Sequence, residues 1–215
     1  MDSGLKPRLE GIYAVTAPLS GAALTEVVEA VLRGGVRAVQ YRDKGDDQER
    51  RLEEALALRR RCSDHGAVFI VNDDVELAAA VKADGVHLGG ADAAVEEARE
   101  RLGESALIGA SCYAEWARAE RAVAAGADYL AFGSVFASST KPDAPRAPWS
   151  LFREARALGC PLVAIGGIGP DNVHEVARSG ADAAAVVSAL FAASDPEAAA
   201  REMVKRWCAA SGARQ

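Results

Sequence analysis

The sequence predicts a single α/β domain folded as a (β/α)8 TIM barrel. Three observations lead to this prediction: eight short apolar runs, helical periodicity between them, and a small motif that recurs where helices lead into strands. The 215 residues are enough for one sizeable core and few for two domains. We therefore expect one barrel over residues 1–215, with residues 1–10 as an N-terminal extension.

The eight runs are nearly continuous hydrophobic stretches, which is typical of strands buried on both faces of a parallel sheet. In chain order the predicted strands are Ile12–Ala17, Ala38–Arg42, Val68–Val71, Gly85–Leu88, Leu107–Ala110, Tyr129–Gly133, Leu162–Ile165 and Ala184–Val187.

The segments between these runs have helix signals. One amphipathic stretch begins near Asp46 and ends at Gly66. The run Ser194-Asp195-Pro196-Glu197 has a capping residue just before a proline, which is typical of a first helical turn. It predicts the start of the last helix.

The recurring motif marks the joins between helices and strands. Its four copies are Gly34-Gly35-Val36, Ala83-Asp84-Gly85, Gly126-Ala127-Asp128 and Gly180-Ala181-Asp182. Glycine can adopt the left-handed conformation that ends a helix and turns the chain into the next strand. Repeated joins indicate one repeated βα unit, which fits a closed barrel. An open doubly wound sheet is the alternative, but no G-x-G-x-x-G follows a strand to support it.

Composition excludes several classes of function. The chain has 25 Lys and Arg against 31 Asp and Glu, a net charge of −6, which argues against a general nucleic-acid binder. Residues 1–11 lack the apolar stretch of a signal peptide, and residues 183–193 are too short to cross a bilayer. The four cysteines are widely spaced, so we expect reduced thiols in a cytoplasmic protein with no membrane partner.

The polar residues cluster at the carboxyl ends of the predicted strands, where barrel active sites lie. In the second strand, Gln40, Arg42 and Lys44 share one direction because side chains alternate with period two. Two cations at the mouth of the barrel, the end where the carboxyl ends of the strands meet, suit an anionic ligand. The alternative is a surface strand end whose cations pair with Asp43 or Asp46.

Two acidic residues, Asp73 and Asp92, follow the adjacent third and fourth strands. With Asn72 beside them, they suit a hard cation such as Mg²⁺, which takes few protein oxygens and keeps water and phosphate ligands. The alternative is that each carboxylate caps the helix that follows it. The metal interpretation gains beside Arg42 and Lys44, because cations and a metal together surround a diphosphate.

The sequence also predicts a second phosphate site, on the opposite side of the mouth. Gly166-Gly167 and Val187-Ser188 fit the cradle that barrels build from their last two loops, although a tight turn would also require glycine. Residues 137–148 form a long loop that could be a lid carrying Lys141, or a passive surface loop. Two phosphate sites in one cavity predict a transferase acting on two phosphorylated substrates, with diphosphate as the leaving group.

His87, inside the fourth strand, is expected to be a hydrogen-bonded interior residue.

The motifs together resemble the thiamine-phosphate synthase family, in the family's order, from about Gly11 to the final helix. The matching segments are Gln40-Tyr41-Arg42-Asp43-Lys44, Asn72-Asp73, Gly85-Val86-His87-Leu88-Gly89 followed by Asp92, Phe132-Gly133-Ser134-Val135-Phe136 leading to Thr140-Lys141, Ala164-Ile165-Gly166-Gly167-Ile168, and Val187-Ser188.

The resemblance implies a role for each matched residue. The pyrimidine diphosphate would contact Gln40, Tyr41, Arg42, Asp43, Lys44, Asn72, Ser111 and Lys141, of which Arg42, Lys44, Ser111 and Lys141 are the implied catalytic residues. Asp73 and Asp92 would hold Mg²⁺. The thiazole phosphate would contact Ser138, Ser139, Thr140, Gly167, Val187 and Ser188.

The implied reaction is dissociative: the pyrimidine methylene–oxygen bond breaks first, and the thiazole nitrogen then attacks the resulting cation. The chain departs from the family at three positions: Asp74 replaces a frequent arginine, Gly90 a usual glutamine, and Ser138 a common threonine. We expect none of these to abolish activity.

Two rival functions fit the sequence less well. A related thiazole tautomerase tends to have histidine where this chain has Ser134 and to lack the acid matching Asp92. A non-catalytic barrel that senses thiamine precursors would not need two metal-binding carboxylates. The sequence leaves the oligomeric state open, and a homo-oligomer is compatible with it.

Overall fold

A computed structural model shows a closed barrel of eight parallel strands in sequence order, and it describes residues 9–89, 93–137 and 145–212. The last strand pairs with the first, so the predicted (β/α)8 class is confirmed and the open sheet is excluded. The strands are β1 Gly11–Val15, β2 Ala38–Tyr41, β3 Val68–Asn72, β4 Gly85–Leu88, β5 Leu107–Tyr113, β6 Tyr129–Gly133, β7 Leu162–Ile165 and β8 Ala183–Val186.

Helices alternate with the strands and surround the barrel. They are α1 Gly21–Arg33, α2 Gln48–Asp64, α3 Val75–Ala80, α4 Ala93–Leu102, α5 Trp116–Ala124, α6 Trp149–Ala155 with a 3-10 turn at Arg156–Leu158, α7 Val173–Ser179, α8 Ser188–Phe191 and α9 Pro196–Ser211. Asp47 caps α2, and Asp195 caps α9 just before Pro196, as the sequence predicts for the last helix. Over the described ranges, every helix is too short or too polar to traverse a lipid bilayer.

The predicted strands are correct in number and differ at several ends. β1 stops two residues before the predicted Ala17, although the amide of Thr16 still donates to the carbonyl of Gln40 at 2.9 Å. β5 continues to Tyr113 through an irregularity between Ser111 and Tyr113. Such a bulge redirects the chain where a strand reaches a functional rim, and an apolar run in the sequence does not reveal it.

Two apolar layers hold the barrel together. Alternate strand residues such as Phe69 and Tyr41 pack outward against the helices, and the intervening residues, among them Tyr13 and Ile70, fill the interior. Each fully buried side chain of this size contributes roughly 1.5–3 kcal/mol relative to exposure. Leu9, within the predicted N-terminal extension, also packs in the interior cluster.

Three aspartates form a repeated contact at the amino ends of the strands, which we call the lower end. Asp84, Asp128 and Asp182 each precede an even-numbered strand. Each carboxylate accepts a backbone N–H from the preceding odd-numbered strand, at 2.8 Å from Phe69, 2.8 Å from Ile108 and 2.9 Å from Leu162.

Each of these carboxylates also pairs with an arginine from the helical segment before that odd-numbered strand. The pairs are Arg59–Asp84 at 3.1 Å, Arg99–Asp128 at 2.5 Å and Arg156–Asp182 at 3.4 Å. The helix-to-strand motif therefore has a second role that its glycines do not explain: its aspartates tie adjacent strands and helices together.

Candidate active site

Strand β2 delivers one polar side chain to the interior and two cations to the carboxyl ends of the strands, which we call the mouth. Gln40 is 4% exposed and points into the barrel, where it bonds Tyr13, whereas Arg42 and Lys44 lie exposed just beyond the strand. Thr16, after β1, accepts the amide of Arg42 at 2.8 Å and donates to its carbonyl at 3.2 Å. The first two loops of the mouth are therefore joined beneath Arg42.

The structure does not bring Tyr41 and Asp43 into the mouth. The hydroxyl of Tyr41 donates to Glu54 at 2.7 Å, and Arg50 donates to Asp43 at 2.7 Å and to Glu54 at 2.9 Å. The hydrogen bond from Arg50 lowers the pKa of Asp43. Period-two alternation places both side chains on the helix side of β2, where they contact α2, and their expected contact with the substrate stays a prediction.

Glu54 is a buried acid that the sequence analysis did not identify. It is 5% exposed, and its second oxygen accepts the amide of Gly21 at 2.8 Å. One carboxylate thus connects the start of α1, the end of β2 and Arg50. Its position on the strand-facing side of an amphipathic helix was the available signal, but neighbouring charges made it resemble a solvated face.

Asp73 has an unusual backbone conformation, with φ of 61°. Its carboxylate accepts from the ammonium of Lys44, from the amide of Asn72 at 2.8 Å and from the backbone N–H of Gly89 at 3.0 Å. Burial raises the pKa of Asp73, but these three donors outweigh it, and the net pKa is lowered. The acid is therefore held ionised at the mouth, beside a cation from the neighbouring loop.

The capping alternative is wrong for Asp73, because Asp74 caps α3. Asp74 accepts the amide of Leu77 at 2.9 Å and pairs with Arg51 at 2.8 Å. This also explains one departure from the family pattern: at a position where arginine is frequent, Asp74 is the N-cap of α3. Its neighbour Asp73 is then left available to a ligand.

The donors at the mouth fit a hard divalent cation. Asp73 supplies carboxylate oxygens on a side chain that is 43% exposed, and Asn72 holds that carboxylate through its amide nitrogen at 2.8 Å. Across the described parts of the chain, no three His, Cys, Asp or Glu side chains form a group that could hold a metal. Asp92, the second predicted ligand, lies outside the described residues, as does Gly90.

A chain of hydrogen bonds crosses the barrel interior and ends at two predicted site residues. Gln40 donates to the hydroxyl of Tyr13 at 2.8 Å, and the hydroxyls of Tyr13 and Tyr129 are 3.2 Å apart. Nδ1 of His87 lies 3.1 Å from the Tyr129 hydroxyl, and Nε2 lies 2.9 Å from Ser111 Oγ. Burial lowers the pKa of His87 to about 4. The prediction of an interior, hydrogen-bonded His87 is confirmed, whereas the two tyrosines were missed.

The opposite side of the mouth is formed by the loops after β7 and β8, which contribute mainly backbone atoms. Gly166 and Gly167 have φ of 106° and 66°, and a Cβ on Gly167 would lie 2.2 Å from the carbonyl oxygen of Ala137. Both glycines are therefore required, by conformation and by close approach of the sixth loop. Val187 and Ser188 follow β8, and Ser188 begins the short helix α8. The remaining predicted residues here are Ser138, Ser139, Thr140 and Lys141, which lie outside the described residues.

Comparison with known proteins places the chain in one family. A family model described as thiamine monophosphate synthase matches residues 12–190. A thiamine-phosphate synthase of Halorhodospira halophila is 63% identical over 93% of this chain and 95% of its own length, and one of Chromobacterium violaceum is 55% identical over 93% and 97%. The solved thiamine phosphate pyrophosphorylase of Pyrococcus furiosus superposes with a TM-score of 0.84 at 37% identity, covering 93% of this chain and 96% of its own.

Proposed function

Because the chain belongs to the thiamine monophosphate synthase family, we propose that it joins 4-amino-2-methyl-5-hydroxymethylpyrimidine diphosphate to a thiazole phosphate, giving thiamine phosphate and pyrophosphate. It is an enzyme of the transferase class. The observation that carries the proposal for this chain is the meeting of Lys44 with the ionised Asp73 at the barrel mouth. A cation beside a carboxylate with hard oxygens provides both of the groups that a metal-assisted diphosphate site requires.

We assign the pyrimidine diphosphate to the side of the mouth formed by β2 to β5. Its proposed contacts are Gln40, Arg42, Lys44, Asn72, Ser111 and Lys141. The barrel interior ends at Gln40 and Ser111, which suits them to the heterocycle, whereas the exposed cations suit the diphosphate. Tyr41 and Asp43 support this side from behind, through Glu54 and Arg50.

Asp73 and Asp92 are the proposed ligands of Mg²⁺. When bound, the ion would withdraw electrons from the departing pyrophosphate and so make it a better leaving group. Asp73 would have to exchange its contact with Lys44 for the metal, which would leave the ammonium of Lys44 available to a phosphate oxygen. The carboxylate and the cation are thus already adjacent where both would be needed.

The proposed reaction needs no general base and no covalent nucleophile. The methylene carbon–oxygen bond breaks, its electron pair leaves with the pyrophosphate, and the aminopyrimidine ring stabilises the cation that remains. The thiazole nitrogen then donates its lone pair to that carbon. Arg42, Lys44 and Lys141 would offset the charge that builds on the leaving group, and the barrel would align the two rings.

The thiazole phosphate is assigned to the loops after β6, β7 and β8. Its proposed contacts are Ser138, Ser139, Thr140, Gly167, Val187 and Ser188. Support comes from Gly166 and Gly167, whose positive φ angles and close contact with the sixth loop bring the backbone of the two loops together at this side of the mouth.

Product formation tests the proposal directly. The purified protein is freed of metal with a chelator and mixed with both phosphorylated heterocycles, with and without added Mg²⁺. Thiamine phosphate and pyrophosphate are expected in equal amounts, and only with the metal. Product at the same rate without divalent cations would contradict the metal assignment, and no product under either condition would contradict the proposed activity.

Nothing in the described site favours the tautomerase alternative. At the position where that group tends to have histidine, the hydroxyl of Ser134 donates to the carbonyl of Phe136 at 2.6 Å. The cytoplasmic location and a homo-oligomeric state stay predictions from the sequence.

A further inference from the structure

The hydrogen-bond chain through the barrel interior has a definite direction. Each tyrosine hydroxyl has one proton to donate, and a neutral imidazole has one N–H. The amide nitrogen of Gln40 donates to Tyr13, and every group along the chain then has a partner only if Tyr13 donates to Tyr129 and Tyr129 donates to Nδ1 of His87. The imidazole N–H is then on Nε2 and donates to Ser111, whose own proton remains for the mouth.

Burial makes this direction hard to reverse one residue at a time. Tyr13 and Tyr129 are each 1% exposed and His87 is 8% exposed, so a hydroxyl or ring nitrogen that loses its partner cannot turn to bulk water. The bonds also reinforce one another in a low dielectric. Reversal would require Gln40 to rotate its amide, both hydroxyls to turn and the imidazole to change tautomer together.

The barrel is shaped to hold the central ring of this chain. A Cβ on Gly109 would lie 1.9 Å from Cζ of Tyr129, so only glycine leaves room for the ring at that point of β5. The ring also stacks on His87, with centroids 5.6 Å apart and planes 23° apart. The hydroxyl of Tyr129 is therefore placed by packing as well as by its hydrogen bonds.

We propose that this interior chain makes Tyr13, Tyr129 and His87 positioning residues, which present Ser111 as a hydrogen-bond donor and the carbonyl of Gln40 as an acceptor. This inference rests on the proposed function, in which both end residues contact the pyrimidine. A 4-aminopyrimidine offers an amino donor beside a ring-nitrogen acceptor, whereas the 4-oxo form offers an acceptor beside an N–H donor. The chain thus selects the amino form over the oxo form by fixing polarity at both ends.

Binding of two unreactive probes tests this selection without turnover. The probes are the monophosphate of the 4-amino pyrimidine and its 4-oxo analogue, measured by calorimetry. Wild type is expected to bind the amino probe about tenfold or more tightly than the oxo probe, because the wrong form leaves buried polar groups unpaired. In Tyr129→Phe the ratio is expected to fall to about threefold or less, since the two ends can then reorient independently.

A second variant and a control keep the result interpretable. Tyr13→Phe breaks the chain next to Gln40 and should reduce the ratio likewise, so the inference can be tested if one variant fails to fold. Val31→Ala, at a fully buried position of α1, lowers stability without touching the chain and should keep the wild-type ratio. A wild-type ratio in a folded Tyr129→Phe or Tyr13→Phe would overturn the inference.

The direction of the chain can be observed in the unaltered protein. Nitrogen NMR distinguishes the two imidazole tautomers, and His87 is identified by elimination with His65→Gln and His174→Gln, the chain having three histidines. Protonation on Nε2 alone is expected. A proton on Nδ1, or on both nitrogens, would overturn the inference even if the protein makes thiamine phosphate, whereas absent product with the expected tautomer and binding ratio would contradict only the proposed reaction.

Discussion

The two ends of the barrel use aspartate in opposite ways. At the lower end, Asp128 accepts from Arg99 and from the backbone of Ile108, and its side chain is 16% exposed. At the mouth, Asp73 accepts from Lys44 and Asn72, is 43% exposed, and has a backbone conformation that few residues other than glycine adopt. The lower aspartate connects elements of the fold, whereas the upper one is held in a strained turn where a ligand can reach it.

This difference separates aspartates that stabilise the fold from an aspartate that is held where it can contact a ligand. The aspartates of the lower end repeat with the same partners before β4, β6 and β8, as expected of a structural device. The contacts of Asp73 occur once, and its strain is tolerated because Lys44, Asn72 and Gly89 hold the carboxylate. A strained residue held by side chains at the mouth is typical of a functional site in a rigid barrel.

The largest expected effect is on turnover and separates two adjacent residues. Asp73→Asn should lower kcat by about a thousandfold while keeping the fold, because an ionised ligand and charge stabiliser is lost. Asp74→Asn retains a capping side chain for α3 and should keep kcat within about threefold of wild type. The measurement is steady-state product formation at saturating Mg²⁺. Equal kcat values in the two variants would show that Asp73 is not the functional acid.

The barrel itself could be predicted because its cause is local. Apolar runs and glycine joins lie within single segments, and the eight strands follow from them. The same alternation correctly sends Gln40 inward and would also send Tyr41 outward. The expectation that Tyr41 and Asp43 contact the substrate comes from the family resemblance alone, because a motif taken as a block does not distinguish the two faces of its strand.

The parts that could not be predicted depend on contacts between distant segments. The left-handed conformation of Asp73 requires Lys44 from one loop and Gly89 from another. The interior chain joins residues up to 116 positions apart, as between Tyr13 and Tyr129. Strand register decides such contacts, and a single sequence does not specify register across a closed sheet.

The second prediction concerns the contribution of the buried His87 to the free energy of unfolding. The folded pKa of His87 is about 4, below the ordinary value of 6.5, so between these pH values the unfolded chain binds a proton that the folded one does not. The free energy of unfolding should therefore fall by about 3 kcal/mol as pH drops from 6.5 to 4, with no such loss above 6.5. Urea unfolding across this range measures it, compared with His87→Gln, which should lack this component. Parallel pH profiles for the two proteins would mean that His87 titrates normally.

The smallest expected effect is at the lower end and completes the comparison. Asp128→Ala removes the partner of Arg99 and the acceptor for the amide of Ile108, so it should lower the free energy of unfolding by about 2 kcal/mol. Asp128→Asn retains an acceptor for that amide and should lose about half as much. Both variants should keep wild-type kcat, because the lower end is separated from the mouth by the filled interior of the barrel. Chemical unfolding and product assays on the same preparations measure both quantities, and a fall in kcat in either variant would show that the two ends are coupled rather than independent.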